Sequence, residues 1–126
     1  MAEDKYVLTL DAGTGSGRAV LFDLAGNQLA VSQEEWYPVP LDEYPGSQAF
    51  DTDEAWSILV RCIKGALEKA GARPEQVAGI TATSMREGFV LYDEQGEELW
   101  ACTNGDARAA DEVIELTERG LSLIHI

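Results

Sequence analysis

The chain has 126 residues and carries 9 Lys and Arg against 23 Asp and Glu, a net charge of −14 with its single His neutral. So acidic a protein (pI ≈ 4.2) is a poor partner for phosphate backbones and anionic lipid, which excludes sequence-independent binding to nucleic acid or membrane surfaces. The length suits one domain or a piece of one, and 45% hydrophobic with 25% charged residues excludes a disordered or collagen-like chain.

Tyr6-Val7-Leu8-Thr9-Leu10 is a short β-rich run, preceded by an acidic start and too brief for a signal sequence or membrane span, so no targeting segment and a cytoplasmic location are expected. It ends in Asp11-Ala12-Gly13-Thr14-Gly15-Ser16-Gly17, and Ala19 to Asp23 is a second run. Leu24-Ala25-Gly26-Asn27 has turn chemistry, and Gln28 to Ser32 makes the third strand of an antiparallel meander. Pro38, Pro40, Pro45 and Gly46 then exclude a helix and any central strand.

Asp51, with Glu54 three residues on, starts a helix in which Trp56, Leu59, Ile63, Leu67 and Ala70 recur at spacings of three and four. Gly71 stops it, Pro74 follows, and Gly65 inside it implies close packing on a sheet. Val77 to Thr83 reads as a buried strand, leading through Ser84-Met85-Arg86-Glu87-Gly88 into a hairpin of Phe89 to Tyr92 and Leu99 to Ala101. This hairpin repeats the pattern Val20-Leu21-Phe22-Asp23-x-x-Gly26-x-x-Leu29 at a constant offset of 70 residues, either as an internal echo or because two hairpins obey the same turn rules. Asp106 is placed to cap a last helix running through Ala110, Val113 and Ile114 to about Arg119. Cys62 and Cys102 lie in apolar runs without Cys-x-x-Cys spacing, so neither a disulfide nor a zinc site is expected. The sum is a mixed α/β layer.

Gly13-x-Gly15-x-Gly17 is not a dinucleotide turn, because it opens a strand rather than a helix, and it lacks the Gly-Lys-Ser/Thr of a P-loop. A glycine-rich turn between antiparallel strands can still present backbone N–H groups to phosphate oxygens, with Asp11 facing the phosphates through Mg²⁺. The other reading is a plain glycine hairpin in which Asp11 makes a local turn bond.

Asp11-x-Gly13-Thr14-Gly15-Ser16-x-Arg18 with Val20-Leu21-Phe22-Asp23 resembles the first phosphate motif of the actin, Hsp70 and sugar-kinase superfamily. Three further stretches are similar to motifs of the FGGY carbohydrate kinases: Pro45-Gly46-Ser47-x-x-x-Asp51-x-x-x-x-Trp56, Ser84-Met85-Arg86-Glu87, and Asn104-Gly105-Asp106-Ala107-Arg108. Within that family the wording of these stretches looks most like the autoinducer-2 kinases. The resemblance implies a ribonuclease H-like (actin-like ATPase) α/β fold, a mixed sheet with flanking helices, of which residues 1–120 form part of the N-terminal domain. It implies ATP-dependent phosphorylation of a primary hydroxyl on a small polyol-like substrate, the linear dihydroxypentanedione autoinducer-2, by a whole protein that forms a homodimer.

By the same resemblance Gly13, Thr14, Gly15, Ser16 and Arg18 contact ATP phosphates, Asp11 helps hold Mg²⁺, and Arg86, Glu87, Asn104 and Asp106 bind substrate. Arg86 and Glu87 offer a donor and an acceptor to vicinal hydroxyls; standing alone they would read as a surface salt bridge. Ala49 stands where many members carry Glu, and Asn104 replaces a common Trp, which removes an apolar wall and suits a small, polar substrate. Trp36, Trp56 and Trp100 are assigned to the core or an interface.

Family members are several times longer, and the resemblance places the catalytic base and adenosine pocket outside this sequence. No catalytic residue is therefore assigned here, and the 126 residues alone are expected to transfer no phosphate. Leu121-Ser122-Leu123-Ile124-His125-Ile126 is what CTG TCT CTT ATA CAC ATC encodes, a string like the transposon end ligated onto sequencing fragments. Residues 121–126 are accordingly expected to be an adapter artefact rather than the start of a strand, and His125 is given no role. The nearest rival within the resemblance is another FGGY kinase, for a pentulose, pentitol or glycerol, and two other classes stay open: a non-enzymatic nucleotide-binding module of actin or Hsp70 type, which has no need of Arg86-Glu87, and a truncated fold with an exposed sheet.

Overall fold

The computed structural model describes residues 4–121. In chain order the elements are β1 (Tyr6–Ala12), β2 (Ser16–Asp23), β3 (Gln28–Glu35), β4 (Val39–Leu41), β5 (Tyr44–Ala49), α1 (Thr52–Ala70), a 3-10 turn (Pro74–Gln76), β6 (Val77–Ser84), β7 (Phe89–Tyr92), β8 (Glu98–Cys102) and α2 (Ala110–Glu118). They form two compact units. The first takes the described residues up to Tyr37 together with Asp51–Glu87; the second takes Pro38–Phe50 and the described residues from Gly88 onward.

The first unit is a four-stranded sheet in the order β3-β2-β1-β6, with the expected antiparallel meander and β6 parallel to β1. Alternation sorts β2 cleanly: Gly17, Ala19 and Leu21 are buried, while Arg18, Val20 and Phe22 point to the opposite face. Leu21 pairs with Leu8 and Ala30, both buried, so one face of three strands forms the apolar floor on which α1 lies.

The helix begins where Asp51, extended at φ −81°, accepts a hydrogen bond from the Glu54 N–H at 2.8 Å. It ends at Gly71, whose φ of +62° lets its N–H close on the Glu68 carbonyl. Asp53 and Glu54 in the first turn and Lys69 in the last suit the helix dipole. The residues it buries are Ala55, Ile58, Cys62, Ala66 and Leu67. The expected stripe through Trp56 was thus rotated by about one residue, and Trp56 itself is 61% exposed. Small residues win the contact because the sheet approaches closely: a Cβ on Gly65 would lie 2.6 Å from Ser32 Oγ, as the interior glycine implied. Gly65→Ala is expected to leave the unfolding free energy within about 0.5 kcal/mol of the parent, helix propensity gaining about what displacing the Ser32 hydroxyl costs; urea titration checks this.

β6 has the expected strand conformation but not the expected burial. It is an edge strand with only β1 beside it, and Ile80 is 62% exposed. Its run of small and β-branched residues carries the composition of a buried strand although nothing among the described residues covers it.

The second unit is a sheet in the order β4-β5-β8-β7. β5 is internal, so the expectation that the prolines exclude a central strand is overturned. Pro45 escapes the usual penalty because β5 meets β8 in register only at Ala49 opposite Cys102, at the far end of the strand. Phe89 and Trp100 pack edge to face at 5.0 Å between ring centroids. α2 forms where the periodicity placed it, but its N-cap is Ala109, without a side-chain cap, so Asp106 does not start it. Both cysteines are free and buried. No helix of the described residues is long and apolar enough to cross a membrane.

The 70-residue echo extends to atomic detail. Asp23 Oδ1 accepts from the N–H groups of Ala25 and Asn27, and Asp93 Oδ1 from those of Gln95 and Glu97. Gly26 and Gly96 adopt φ of +88° and +85°, and each pairing register slips at the same point, Leu21/Phe22 and Leu91/Tyr92.

Candidate phosphate and substrate site

β1 and β2 pair from Tyr6 opposite Asp23 up to Ala12 opposite Gly17, leaving Gly13, Thr14 and Gly15 as the loop between them. The Gly13 N–H donates to the Ser16 carbonyl at 2.9 Å, closing the turn. A Cβ at Gly15 would meet nothing within 4 Å, so the loop crest is open. Asp11 and Arg18 face each other across the ladder on the side away from α1, and their side chains form an ion pair through Arg18 Nη2 and Asp11 Oδ2. Beside them a groove of about 680 Å³ runs over the open sheet face, lined by Thr9, Asp11, Arg18, Val20, Thr81 and Thr83 among others.

The parallel pairing of β1 with β6 brings a second set to the same sheet edge. Ala12 lies opposite Ser84, and the Met85 N–H donates to the Ala12 carbonyl at 2.8 Å, so the glycine loop and Arg86-Glu87 leave the carboxyl ends of adjacent strands. In open α/β sheets this is where ligands bind. Arg86 and Glu87 are exposed and form no ion pair among the described residues, whereas Arg18, Arg61, Arg108 and Arg119 all do. The salt-bridge alternative for Arg86-Glu87 is therefore not what the structure contains. Glu87 has φ +60°, the left-handed region that a residue with a Cβ rarely adopts and that concentrates at functional sites.

Asn104 and Asp106 belong to the second unit, on the loop between β8 and α2. Asp106 is held tightly. It accepts from the Gln48 N–H at 2.7 Å, from the Arg108 N–H at 3.1 Å, and from Arg108 Nε through both carboxylate oxygens at 2.9 Å. The Arg108 guanidinium, aided by the backbone donors, holds the Asp106 carboxyl down at about 2. Arg108 in turn stacks 4.4 Å over the Trp100 ring. Thr103 Oγ1 donates to Gln48 Oε1 at 2.9 Å, and the Ala107 N–H donates to the carbonyl of Gly46, itself at φ +81°.

A magnesium ion bound mainly by phosphate and water needs one or two carboxylates, and Asp11 at the loop's foot, its Oδ2 engaged by Arg18, is a carboxylate that would fit that need. No group of three or more His, Cys, Asp or Glu side chains placed to hold a metal occurs among the described residues, so an all-protein metal cage does not fit. Two residues of the sites escaped the sequence reading. Gln48 is one. Trp36 is the other: it was assigned to core or interface, and it is 5% exposed, but its indole N–H donates to the carbonyls of Gly13 at 3.2 Å and Thr14 at 3.3 Å. The available signal was chemical, since a buried tryptophan N–H needs an acceptor.

The glycine hairpin, the mixed sheet and the flanking helix are those of the ribonuclease H-like fold of sugar kinases. Gluconate kinase from Lactobacillus acidophilus superposes with a TM-score of 0.81 at 22% identity over 94% of this chain and 23% of that one. Xylulose kinase from Rhodospirillum rubrum gives 0.73 at 27% identity over 91% of this chain and 23% of that one. The chain belongs to the FGGY family of carbohydrate kinases, whose N-terminal domain it matches over residues 6–123. The autoinducer-2 kinase of Escherichia coli K12 is 53% identical over 119 residues, 94% of this chain and 22% of that protein. The chain thus spans about a fifth of the length of the curated relatives it matches.

Proposed function

We propose that this chain is the phosphate- and substrate-binding part of an ATP-dependent kinase that phosphorylates a primary hydroxyl of autoinducer-2 in its linear dihydroxypentanedione form, within a cytoplasmic quorum-signal pathway. One observation carries this reading: the glycine loop and an exposed Arg86-Glu87 without an ion-pair partner among the described residues leave neighbouring strand ends joined by the Met85–Ala12 hydrogen bond. The 53% identity to an autoinducer-2 kinase favours that substrate over pentuloses or glycerol, and Asn104 in place of a tryptophan wall agrees.

The ATP phosphates lie against Gly13, Thr14, Gly15 and Ser16, with Arg18 adding charge-assisted donors. Asp11 would hold Mg²⁺, which neutralises charge on the phosphates. Arg86 donates to, and Glu87 accepts from, adjacent substrate hydroxyls, so that one hydroxyl is presented to the terminal phosphate; the strained Glu87 backbone fixes that presentation in advance. Asn104 and Asp106 are proposed as substrate-binding residues on the family resemblance, and within its own unit Asp106 fixes the loop that carries Asn104. The proton acceptor belongs to residues outside this sequence.

Arg86→Ala in the full-length protein is expected to raise KM for the hydroxyl substrate about 10- to 100-fold while leaving KM for ATP within about twofold. Equal effects on both substrates would count against the assignment, and preference for xylulose or glycerol in the parent protein would move it to another member of the family. Residues 121–126, of which all but Leu121 lie outside the described residues, are proposed to be adapter-derived; reading the source gene past the Gly120 codon tests this.

A further inference from the structure

We infer that Trp36 is the positioning residue of the phosphate loop, which sets the direction of the loop's N–H groups. The inference rests on the phosphate-binding reading given above. Every carbonyl from Gly13 to Ser16 is occupied. That of Ser16 accepts from the Gly13 N–H, and the other three accept from Trp36: Gly13 at 3.2 Å and Thr14 at 3.3 Å from the indole N–H, and Gly15 at 3.2 Å from the backbone N–H. A peptide group is planar and trans, so its C=O and the N–H of the following residue point in opposite directions. Drawing the carbonyls of Gly13, Thr14 and Gly15 toward Trp36 turns the N–H groups of Thr14, Gly15 and Ser16 away from it.

The consequence is electrostatic. An anion at the loop crest meets N–H dipoles instead of carbonyl oxygens; the Gly15 N–H donates to no group among the described residues, and a Cβ on Gly15 would meet nothing within 4 Å. Trp36 itself has little freedom to move. It is buried at the end of β3, and Gly17 sits so close beneath it that a Cβ there would lie 2.7 Å from Trp36 Cζ3. The indole is therefore held by packing and holds the loop by hydrogen bonds. A glycine loop without such a clamp samples both carbonyl directions, since glycine tolerates either.

The test separates this role from simple packing. In the full-length protein Trp36 is replaced by phenylalanine, which keeps a ring over Gly17 but lacks the N–H, and separately by benzothienylalanine, which keeps the bicyclic shape and also lacks the N–H. Binding of ATP and of adenosine, which has no phosphate, is measured by calorimetry. Both variants are expected to bind ATP about tenfold more weakly and adenosine within about twofold of the parent. The benzothienyl variant preserves the packing volume and so gives a reading even where the phenylalanine variant folds poorly. Unchanged ATP affinity overturns the inference, as does an equal loss for both ligands, which is the mark of a merely structural role. Failure of the parent protein to bind ATP overturns the phosphate-site reading and this inference together, and so is distinguishable from the other outcomes.

Discussion

Asp106→Ala is expected to destabilise the second unit by about 3 to 5 kcal/mol, the range for removing one partner of a buried ion pair. The Arg108 side chain, 18% exposed, would keep its charge without its counter-ion, and the Gln48 N–H would lose its acceptor. Hydrogen exchange offers a local readout, because the Ala107 N–H is protected by the Gly46 carbonyl and the Gln48 N–H by Asp106 itself. Both should exchange faster in the variant, and unchanged protection would show that the loop is held by other means. The same pair predicts an acid transition. The Asp106 carboxyl titrates at about 2 rather than at its ordinary 3.8, so its contribution is fully present above about pH 4 and disappears as pH falls toward 2. About 2 kcal/mol is at stake, and Asp106→Asn should remove that pH dependence while keeping the shape of the side chain.

Gly17→Val is the second large effect, at about 3 kcal/mol, the upper end of what overpacking costs. An added Cβ alone would stand 2.7 Å from Trp36, 3.1 Å from Leu59 and 3.2 Å from Ile58, and two methyl groups beyond it have no space. Gly65 offers the useful contrast, because the nearest atom, Ser32 Oγ at 2.6 Å, belongs to a hydroxyl that can rotate, and the Ser32 Cβ at 3.2 Å needs to give by only a few tenths of an ångström. Thermal unfolding of the two glycine variants side by side should give a large fall in midpoint for Gly17→Val and almost none for Gly65→Ala. Similar losses at both positions would mean that α1 sits farther from β2 than these contacts require.

Most of the backbone was legible in the sequence because it depends on local chemistry. Short β-rich runs marked β1 and β2, alternation marked β3, Asp51 and Gly71 bounded α1, and Asp23 and Asp93 with their glycines marked two turns. What was not legible depends on distant neighbours. The buried stripe of α1 is set by Gly17 and Ser32 on the sheet, so side-chain periodicity alone chose Trp56 wrongly. β5 survives Pro45 because its contact with β8 lies at the opposite end. Asp106 has the residue type and position of an N-cap, yet Gln48, 58 residues away, claims its carboxylate. In the site, residue types and order exposed the glycine loop and Arg86-Glu87. The bracing of that loop by Trp36 was hidden, because it needs a contact across 23 residues that no motif encodes.

The two matching turns bear on how the chain folds. Each is a local structure whose aspartate organises five residues before any long-range contact is made, and closing such a hairpin takes only about 1 to 10 μs. One hairpin belongs to the first unit and the other to the second. Each unit therefore carries its own fast nucleation point, and the slower steps are left to the non-local pairings of β1 with β6 and of β5 with β8.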